Sequence, residues 1–337
     1  MLGETLGDDV LIDMHVHLDE GPYYTEYSNK IMNIFSESNP LNGSKEALVS
    51  TLNKTLTMIN QNGYSDAWLD EYLKVAIEKG LTHVGIVDHV YRFKEFEAYF
   101  NKHILLDDSA LGLAQQKWLN NVQTSDLHTY LNFMRKAKEK WKQHGIVLSI
   151  GLEVDYFIEG ESELREILEQ IDIDYIIGSV HFYKGWGFDN PVLQDRFNEY
   201  NLVELYEEHF NTVIKAAESR LFDFIAHLDN IKVFKYRPDE HLLLPFYENV
   251  AIALKDNNVA TEVNVGLKYR YPVKEQCPSE QFIKVLSNHE VEFTTSSDSH
   301  LPNDIGIYKD EIINLLKKNQ IDQIVRFEDG KKIKVSI

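Results

Sequence analysis

The chain has 337 residues, of which 43% are hydrophobic and 26% charged, a balance typical of folded globular proteins and too apolar for intrinsic disorder. Its 54 acidic and 34 basic residues give a net charge of −20, which argues against nonspecific binding to nucleic acid or to anionic membranes. The one cysteine, Cys277, cannot form an intrachain disulfide, and no apolar run approaches the ~18 residues of a membrane span, so we expect a cytoplasmic protein.

Seven short apolar runs rich in Val and Ile predict buried parallel strands. They are, in chain order, Val10–Met14, His83–Val87, Ile146–Ile150, Ile173–Gly178, Phe222–Ala226, Ala260–Asn264 and Val291–Thr295. Helical patterns separate most of them, for example Ser125–His144, where apolar residues recur at three- to four-residue spacing. This alternation predicts an α/β fold with a parallel sheet and right-handed crossovers. Seven units favour a closed, somewhat irregular barrel, with an open doubly wound sheet as the alternative.

We predict a single domain, 1–337, with two long insertions and a C-terminal extension. The insertions, about 18–44 and 90–124, contain many aromatic residues, and we interpret them as walls or lids over one end of the barrel. The extension, about 301–337, is predicted to contain a helix near Asp310–Lys318 and a terminal hairpin or strand near Arg326–Ile337.

Polar residues follow every predicted strand at or just beyond its C-terminal end. In chain order they are His15, His17, Asp88, His89, Glu153, His181, His227, Asn264, Lys268, Arg270, Asp298 and His300. The C-terminal ends of parallel barrel strands converge on one face, which is where active sites lie. We therefore expect these side chains to meet in space although they are scattered along the chain.

The residue types predict a metal centre. Imidazoles combined with carboxylates suit zinc, iron or manganese, and Glu153 could bridge two ions. Five histidine-bearing strand ends exceed the capacity of one tetrahedral ion, so we predict two to three divalent transition-metal ions. Glu20 is the candidate for the last ligand, with Asp19 as the alternative, because both follow His17 closely. Clustered ions acidify a bridging water and hold phosphoryl oxygens.

The same stretches resemble the polymerase-and-histidinol-phosphatase (PHP) superfamily and, within it, the PHP-type histidinol-phosphate phosphatases. The matching stretches are Ile12–His17, Val87–His89, Gly151–Tyr156, Gly178–Phe182, Trp186–Pro191, Ala226–Asp229 and Ser297–His300. The resemblance implies a distorted seven-stranded, TIM-like (β/α)7 barrel, the PHP fold, and a trinuclear metal centre.

The resemblance also implies how the ligands divide among three ions. The first ion would take His15, His17, Glu153 and Asp298. The second would share Glu153 and take His181 and His227. The third would take His89, His300 and a residue that follows the first motif.

Two segments depart from the family pattern. A Cys-Pro-His-Gly-like segment is replaced by the residues 18–23, Leu-Asp-Glu-Gly-Pro-Tyr, in which we expect Glu20 to substitute as a ligand. The segment after the sixth strand is one residue longer than the family's Gly-Leu-Arg-Lys-Pro-Val. Counting back from Pro272 assigns the phosphate-binding cation to Arg270, whereas counting forward from Gly266 assigns it to Lys268, so both are candidates.

Together these observations predict a metal-dependent phosphomonoesterase in which a metal-activated hydroxide attacks a phosphate monoester. Asp298 or a neighbouring imidazole would handle the proton that the leaving alcohol needs. A small phosphorylated substrate is expected, with histidinol phosphate as the best candidate because its cationic amine would suit an acidic pocket. The sequence does not indicate an oligomeric state.

Two other functions are considered. An amidohydrolase-like metal hydrolase acting on C–N bonds shares the His-x-His pattern, but such sites often use a lysine where this chain has Glu153 and His181. A non-catalytic metal-binding PHP module is disfavoured by the nearly complete ligand set, because structural sites usually lack open positions. A nuclease function suits the net charge poorly.

Overall fold

The computed structural model describes residues 11–19, 21–39, 41 and 43–337. Val10 of the first predicted strand and the predicted ligand Glu20 lie outside the described residues. Seven parallel strands form one sheet, and their order in the sheet is their order in the chain. They are β1 (Ile12–His17), β2 (His83–Val87), β3 (Val147–Asp155), β4 (Tyr175–Ser179), β5 (Phe224–Ile225), β6 (Ala260–Asn264) and β7 (Phe293–Ser296).

The first and last strands also meet. The backbone N–H of His17 donates to the carbonyl of Ser299 at 2.7 Å, and the hydroxyl of Thr295 donates to the carbonyl of Ile12 at 2.6 Å. The sheet therefore nearly closes on itself. This confirms the predicted seven-stranded parallel barrel over the open doubly wound sheet.

Two strands extend further than predicted. β1 continues to His17 and β3 continues to Asp155, so His15, His17 and Glu153 lie within strands and not after them. These three side chains are at most 1% exposed. The apolar criterion ended both strands too early because their last residues are polar although they are buried.

Twelve α-helices accompany the strands among the described residues. They are α1 (Thr25–Glu37), α2 (Lys45–Asn60), α3 (Asp66–Glu78), α4 (Glu97–His103), α5 (Ala110–Val122), α6 (Leu127–Gln143), α7 (Glu161–Leu168), α8 (Leu202–Ser219), α9 (Leu244–Asn257), α10 (Gly266–Arg270), α11 (Glu280–Asn288) and α12 (Lys309–Lys318). None of these helices, within the part of the chain that the structure describes, combines the length and apolar character needed to cross a bilayer.

Helix α6 shows how the sequence determines a local element. Asp126 is its N-cap, and its carboxylate accepts a hydrogen bond from the backbone N–H of Thr129 at 2.8 Å. Leu131, Met134 and Trp141 lie on one face and are buried against the barrel. The cap and the apolar face together account for the agreement with the predicted helix over Ser125–His144.

A C-terminal hairpin covers the N-terminal end of the barrel. Its strands are β8 (Gln323–Glu328) and β9 (Lys331–Ser336), which pair in antiparallel fashion. The ring of Phe327 stacks at 5.8 Å from Tyr175 and 5.4 Å from Phe224, and its carbonyl accepts a hydrogen bond from Ser149. The predicted extension therefore lies at the end of the barrel opposite the strand ends that carry the histidines.

The two insertions are largely helical. The first contains α1, and the second contains α4 and α5. The second insertion docks on a short hairpin, Phe182–Tyr183 and Trp186–Gly187, that follows β4. The carbonyl of Gly185 accepts hydrogen bonds from the backbone N–H of Leu105 and from the amide of Gln115, both at 2.9 Å. Gly185 has φ +78°, and a Cβ there would lie 2.9 Å from the nitrogen of Leu105, so this docking requires glycine.

Candidate metal centre

Two histidines at the end of β1 share one face of the strand. Residues two apart point to the same side of a strand, so His15 and His17 both face the barrel interior, where neither is exposed to solvent. Their Nε2 atoms lie 3.0 Å apart. Two unprotonated imidazole nitrogens repel each other at this distance, so the pair needs a proton or a metal cation between its nitrogens.

Glu153, in β3, lies at the centre of the cluster. Five imidazoles have a nitrogen within 3.5 Å of its carboxylate oxygens; they belong to His15, His17, His89, His181 and His227. Oε1 also accepts a hydrogen bond from the hydroxyl of Ser179 at 2.6 Å. Burial raises the pKa of Glu153, but the imidazoles of His89 and His15 outweigh it and hold that pKa well below its usual value. The central carboxylate is therefore ionised.

The end of β7 adds a second carboxylate and a sixth imidazole. Oδ1 of Asp298 lies 3.3 Å from Nε2 of His300 and 3.8 Å from Nε2 of His17. The rings of His17 and His300 stack with centroids 4.4 Å apart. Burial raises the pKa of Asp298, but Arg270 and His300 hold it well below its usual value.

The histidines fall into two electrostatic classes. Burial and the neighbouring imidazole of His300 lower the pKa of His17 to about 3, and burial lowers the pKa of His89 well below its usual value. Burial acts in the same direction on His15 and His181, but nearby carboxylates reverse it. The pKa of His15 lies well above its usual value because of Glu262 and Glu153, and that of His181 rises to about 10 because of Asp155.

The donor atoms fit metal ions. Three groups have one donor atom from each member within 4.8 Å of the others: His17, His89 and His300; His15, His17 and Asp298; and His89, Glu153 and His181. Imidazole nitrogen with carboxylate oxygen is the ligand set that zinc, manganese and iron accept. The close approach of His15 to His17 is repeated by Nε2 of His181 and Nε2 of His227, which lie 3.2 Å apart. We refer to these eight residues, His15, His17, His89, Glu153, His181, His227, Asp298 and His300, as the candidate metal centre.

The sequence analysis missed two carboxylates that hold the imidazoles from behind. Oε2 of Glu262, in β6, lies 3.1 Å from Nδ1 of His15, and Oε1 accepts the backbone N–H of His227 at 2.9 Å. Oδ1 of Asp155 lies 2.8 Å from Nδ1 of His181. A carboxylate that accepts a hydrogen bond from one imidazole nitrogen directs the other nitrogen toward the centre. The available signal was a charged residue inside an otherwise apolar predicted strand.

The structure separates the two candidate phosphate-binding cations. Nη2 of Arg270 lies 2.8 Å from Oδ2 of Asp298, and the side chain is only partly exposed. The ammonium of Lys268 instead pairs with Glu311 and lies 4.8 Å from the centre of the Tyr308 ring. Arg270 therefore borders the candidate metal centre, and Lys268 is directed away from it.

Asp19, the alternative to Glu20 as the last ligand, is engaged elsewhere. Its Oδ2 lies 2.7 Å from Nη2 of Arg92, and it also accepts hydrogen bonds from the hydroxyls of Tyr23 and Tyr27. Arg92 is 1% exposed, and its Nε lies 3.1 Å from Oδ1 of Asp88. This buried ion-pair network connects the segment after β1 to the segment after β2.

Comparison with known proteins places these observations in a family. The model of the PHP domain matches residues 61–266, which is more than half of the chain. A "Probable histidinol-phosphatase" of Deinococcus radiodurans is 27% identical over 245 residues, which cover 72% of this chain and 84% of the relative. Another protein of that name, from Schizosaccharomyces pombe, is 22% identical over 275 residues, covering 78% and 84%. These matches confirm the resemblance that the motifs indicated.

A solved structure shares the fold. Histidinol phosphate phosphatase from Lactococcus lactis, crystallised with zinc, L-histidinol and phosphate, superposes with a TM-score of 0.62 at 17% identity. The superposition covers 96% of this chain and 98% of that protein. The shared fold agrees with the barrel described above.

Proposed function

Because the chain belongs to the PHP domain family, we propose that it is a metal-dependent phosphomonoesterase that acts on histidinol phosphate. The observation that carries the proposal is the convergence of five imidazoles on the carboxylate of Glu153. Buried nitrogens at such distances from each other need positive charge between them, and divalent ions supply it. The names of the relatives support the substrate.

The proposed ligand sets follow the grouping of the side chains. One ion would be held by His15, His17, Glu153 and Asp298, and a second by Glu153, His181 and His227. A third would be held by His89 and His300 together with Glu20, so the centre would contain two to three zinc, manganese or iron ions. When bound, such ions activate water and neutralise the charge of a phosphoryl group.

The residues of this chain would perform the remaining steps. Arg270 would bind a nonbridging phosphoryl oxygen through its guanidinium, whose fork geometry suits phosphate. Asp298, ionised beside Arg270, would accept a proton at Oδ1 and return it to the leaving alcohol, with a neighbouring imidazole as the alternative carrier. Lys268 would take no part, because its ammonium pairs with Glu311.

Phosphate release from histidinol phosphate by the metal-loaded protein tests the proposal. We expect hydrolysis that a chelator abolishes and that returns when zinc, manganese or iron(II) is added back. Glu153→Gln should abolish it, whereas Glu218→Gln, at an exposed position of α8, should leave it unchanged. Absence of phosphate release with all three metals would refute the substrate, and chelator-resistant release would refute the dependence on metal.

A further inference from the structure

Three aromatic side chains form a continuous surface beside the candidate metal centre. The ring of Tyr91 stacks on that of His89, with centroids 4.6 Å apart and planes 17° from parallel. Trp118, on α5 of the second insertion, lies 4.8 Å from Tyr91 and 6.3 Å from Phe182. Phe182 follows His181 directly in the chain. We call Tyr91, Trp118 and Phe182 the aromatic wall.

The aromatic wall is fixed from behind and open in front. Phe157 is buried with its ring 5.5 Å from that of Phe182, and Phe100 is buried with its ring 6.1 Å from that of Tyr91. The three wall residues themselves are only partly buried. Part of each ring is therefore free to contact a bound molecule without a rearrangement of the residues behind it.

A carboxylate borders the same place. Asp189 is partly exposed, and no other side chain among the residues that the structure describes forms a hydrogen bond or ion pair with it. His181 and His227 are near enough to influence its pKa, and Asp189 in turn influences the pKa of Tyr91. An acidic group and an aromatic surface therefore lie beside the same histidines of the centre.

We infer that the aromatic wall and Asp189 form a subsite for the leaving group, which selects phosphate monoesters whose alcohol carries both a flat ring and a cationic amine. The inference rests on the proposed phosphatase function and names the residues that would determine its substrate class. Stacking on Trp118 and Tyr91 would orient the ring, and the carboxylate of Asp189 would bind the ammonium group. Most of the wall's exposed ring area comes from the second insertion, so that insertion would act as a specificity element.

Four primary alkyl phosphates separate the two contacts. Histidinol phosphate has the ring and the ammonium, 2-phenylethyl phosphate the ring alone, O-phosphoethanolamine the ammonium alone, and n-propyl phosphate neither. With the metal-loaded protein, Trp118→Ala should lower kcat/KM about tenfold for the two ring-bearing esters and leave the other two unchanged. Trp118→Phe should retain most of the preference, which separates loss of stacking from loss of folding.

Asp189→Asn should lower kcat/KM roughly tenfold for the two ammonium-bearing esters only. Phe246→Ala, on the outer helix α9, and Asp172→Asn, at the opposite end of the barrel, are the matched controls and should change none of the four values. An equal decrease for all four esters in Trp118→Ala and Asp189→Asn would overturn the subsite while leaving the phosphatase function intact.

Binding of L-histidinol, measured by calorimetry with the metal-loaded protein, tests the subsite without turnover. We expect Trp118→Ala and Asp189→Asn each to weaken it several-fold relative to the controls. If no ester is hydrolysed but this pattern is found, the phosphatase proposal fails and the subsite stands. If L-histidinol binding is absent, or equal in all variants, the subsite is refuted.

Discussion

Nδ1 of His15 lies 3.1 Å from Oε2 of Glu262, and neither side chain is exposed to solvent. An ionised carboxylate only accepts hydrogen bonds, so this contact keeps the proton of His15 on Nδ1 and directs Nε2 toward Glu153. Glu262 also accepts the backbone N–H of His227. One carboxylate thus orients histidines from two different strands.

Glu262→Gln should weaken metal binding while leaving every proposed ligand in place. The amide removes the negative charge that supports His15, and changes of this kind typically cost 10- to 100-fold in metal affinity. Competition with a chromophoric chelator measures the affinity. Glu290→Gln, at an exposed position, is the control, and equal affinities in the two variants would contradict the positioning role of Glu262.

Replacing Arg92 should destabilise the protein strongly. Arg92→Met leaves Asp19 and Asp88 buried without a cation, so we expect the free energy of unfolding to fall by about 3–5 kcal/mol. Urea unfolding followed by circular dichroism measures it. Adding Asp19→Asn to Arg92→Met should recover part of the loss.

The control for that network is an exposed ion pair. Arg135 pairs with Asp172 at 3.5 Å, and both side chains are well exposed. Arg135→Met should therefore cost less than about 1 kcal/mol. A similar small cost for Arg92→Met would show that the buried network contributes little.

Arg270 and Lys268 should differ sharply in their effect on catalysis. Arg270→Ala is expected to lower kcat/KM for histidinol phosphate roughly 30- to 150-fold, the range for loss of a charge-assisted phosphate contact. Lys268→Ala should change it less than about threefold, because Lys268 pairs with Glu311. Steady-state phosphate release measures both. Inhibition by inorganic phosphate should weaken only in Arg270→Ala.

The buried histidine His209 should make the protein less stable in acid. Burial lowers the pKa of His209 to about 4, while its Nε2 donates to the carbonyl of Leu228 at 2.9 Å. The pKa in the unfolded chain is near 6.5, so below that pH the unfolded state binds the extra proton and unfolding becomes more favourable.

His209→Gln keeps a hydrogen-bond donor and removes this titration. Between pH 7 and pH 4 its free energy of unfolding should fall by about 2 kcal/mol less than that of the wild type. Chelator-treated protein and urea titrations at several pH values give the comparison. The exposed variant His241→Gln should follow the wild type, and parallel curves for His209→Gln would disprove the assignment.

The sequence predicted the barrel and most of the centre because both depend on simple patterns. Buried parallel strands form continuous apolar runs, and residues at their C-terminal ends must converge, so His181 and His300 were found without knowledge of the loops. Asp155 and Glu262 were missed because they lie inside strands, where a charged residue has meaning only once the neighbouring strand is known.

The choice between Lys268 and Arg270 depended on local geometry that residue counting cannot provide. Both residues lie on the short helix α10, and two helical steps rotate a side chain by about 200° around the axis. One of them must therefore point away from Asp298 when the other points toward it. The helical content of the insertions was likewise missed, because their aromatic and polar composition gives a weak helical period.

The hydrogen bond between His17 and Ser299 has a consequence for how the protein matures. It joins the first barrel strand to the segment after the last one, at the place where Asp298 and His300 complete the candidate metal centre. A nascent chain exposes His15 and His17 early during translation but can present Asp298 and His300 only near its end. Acquisition of a full set of ions must therefore wait until almost the entire polypeptide has left the ribosome.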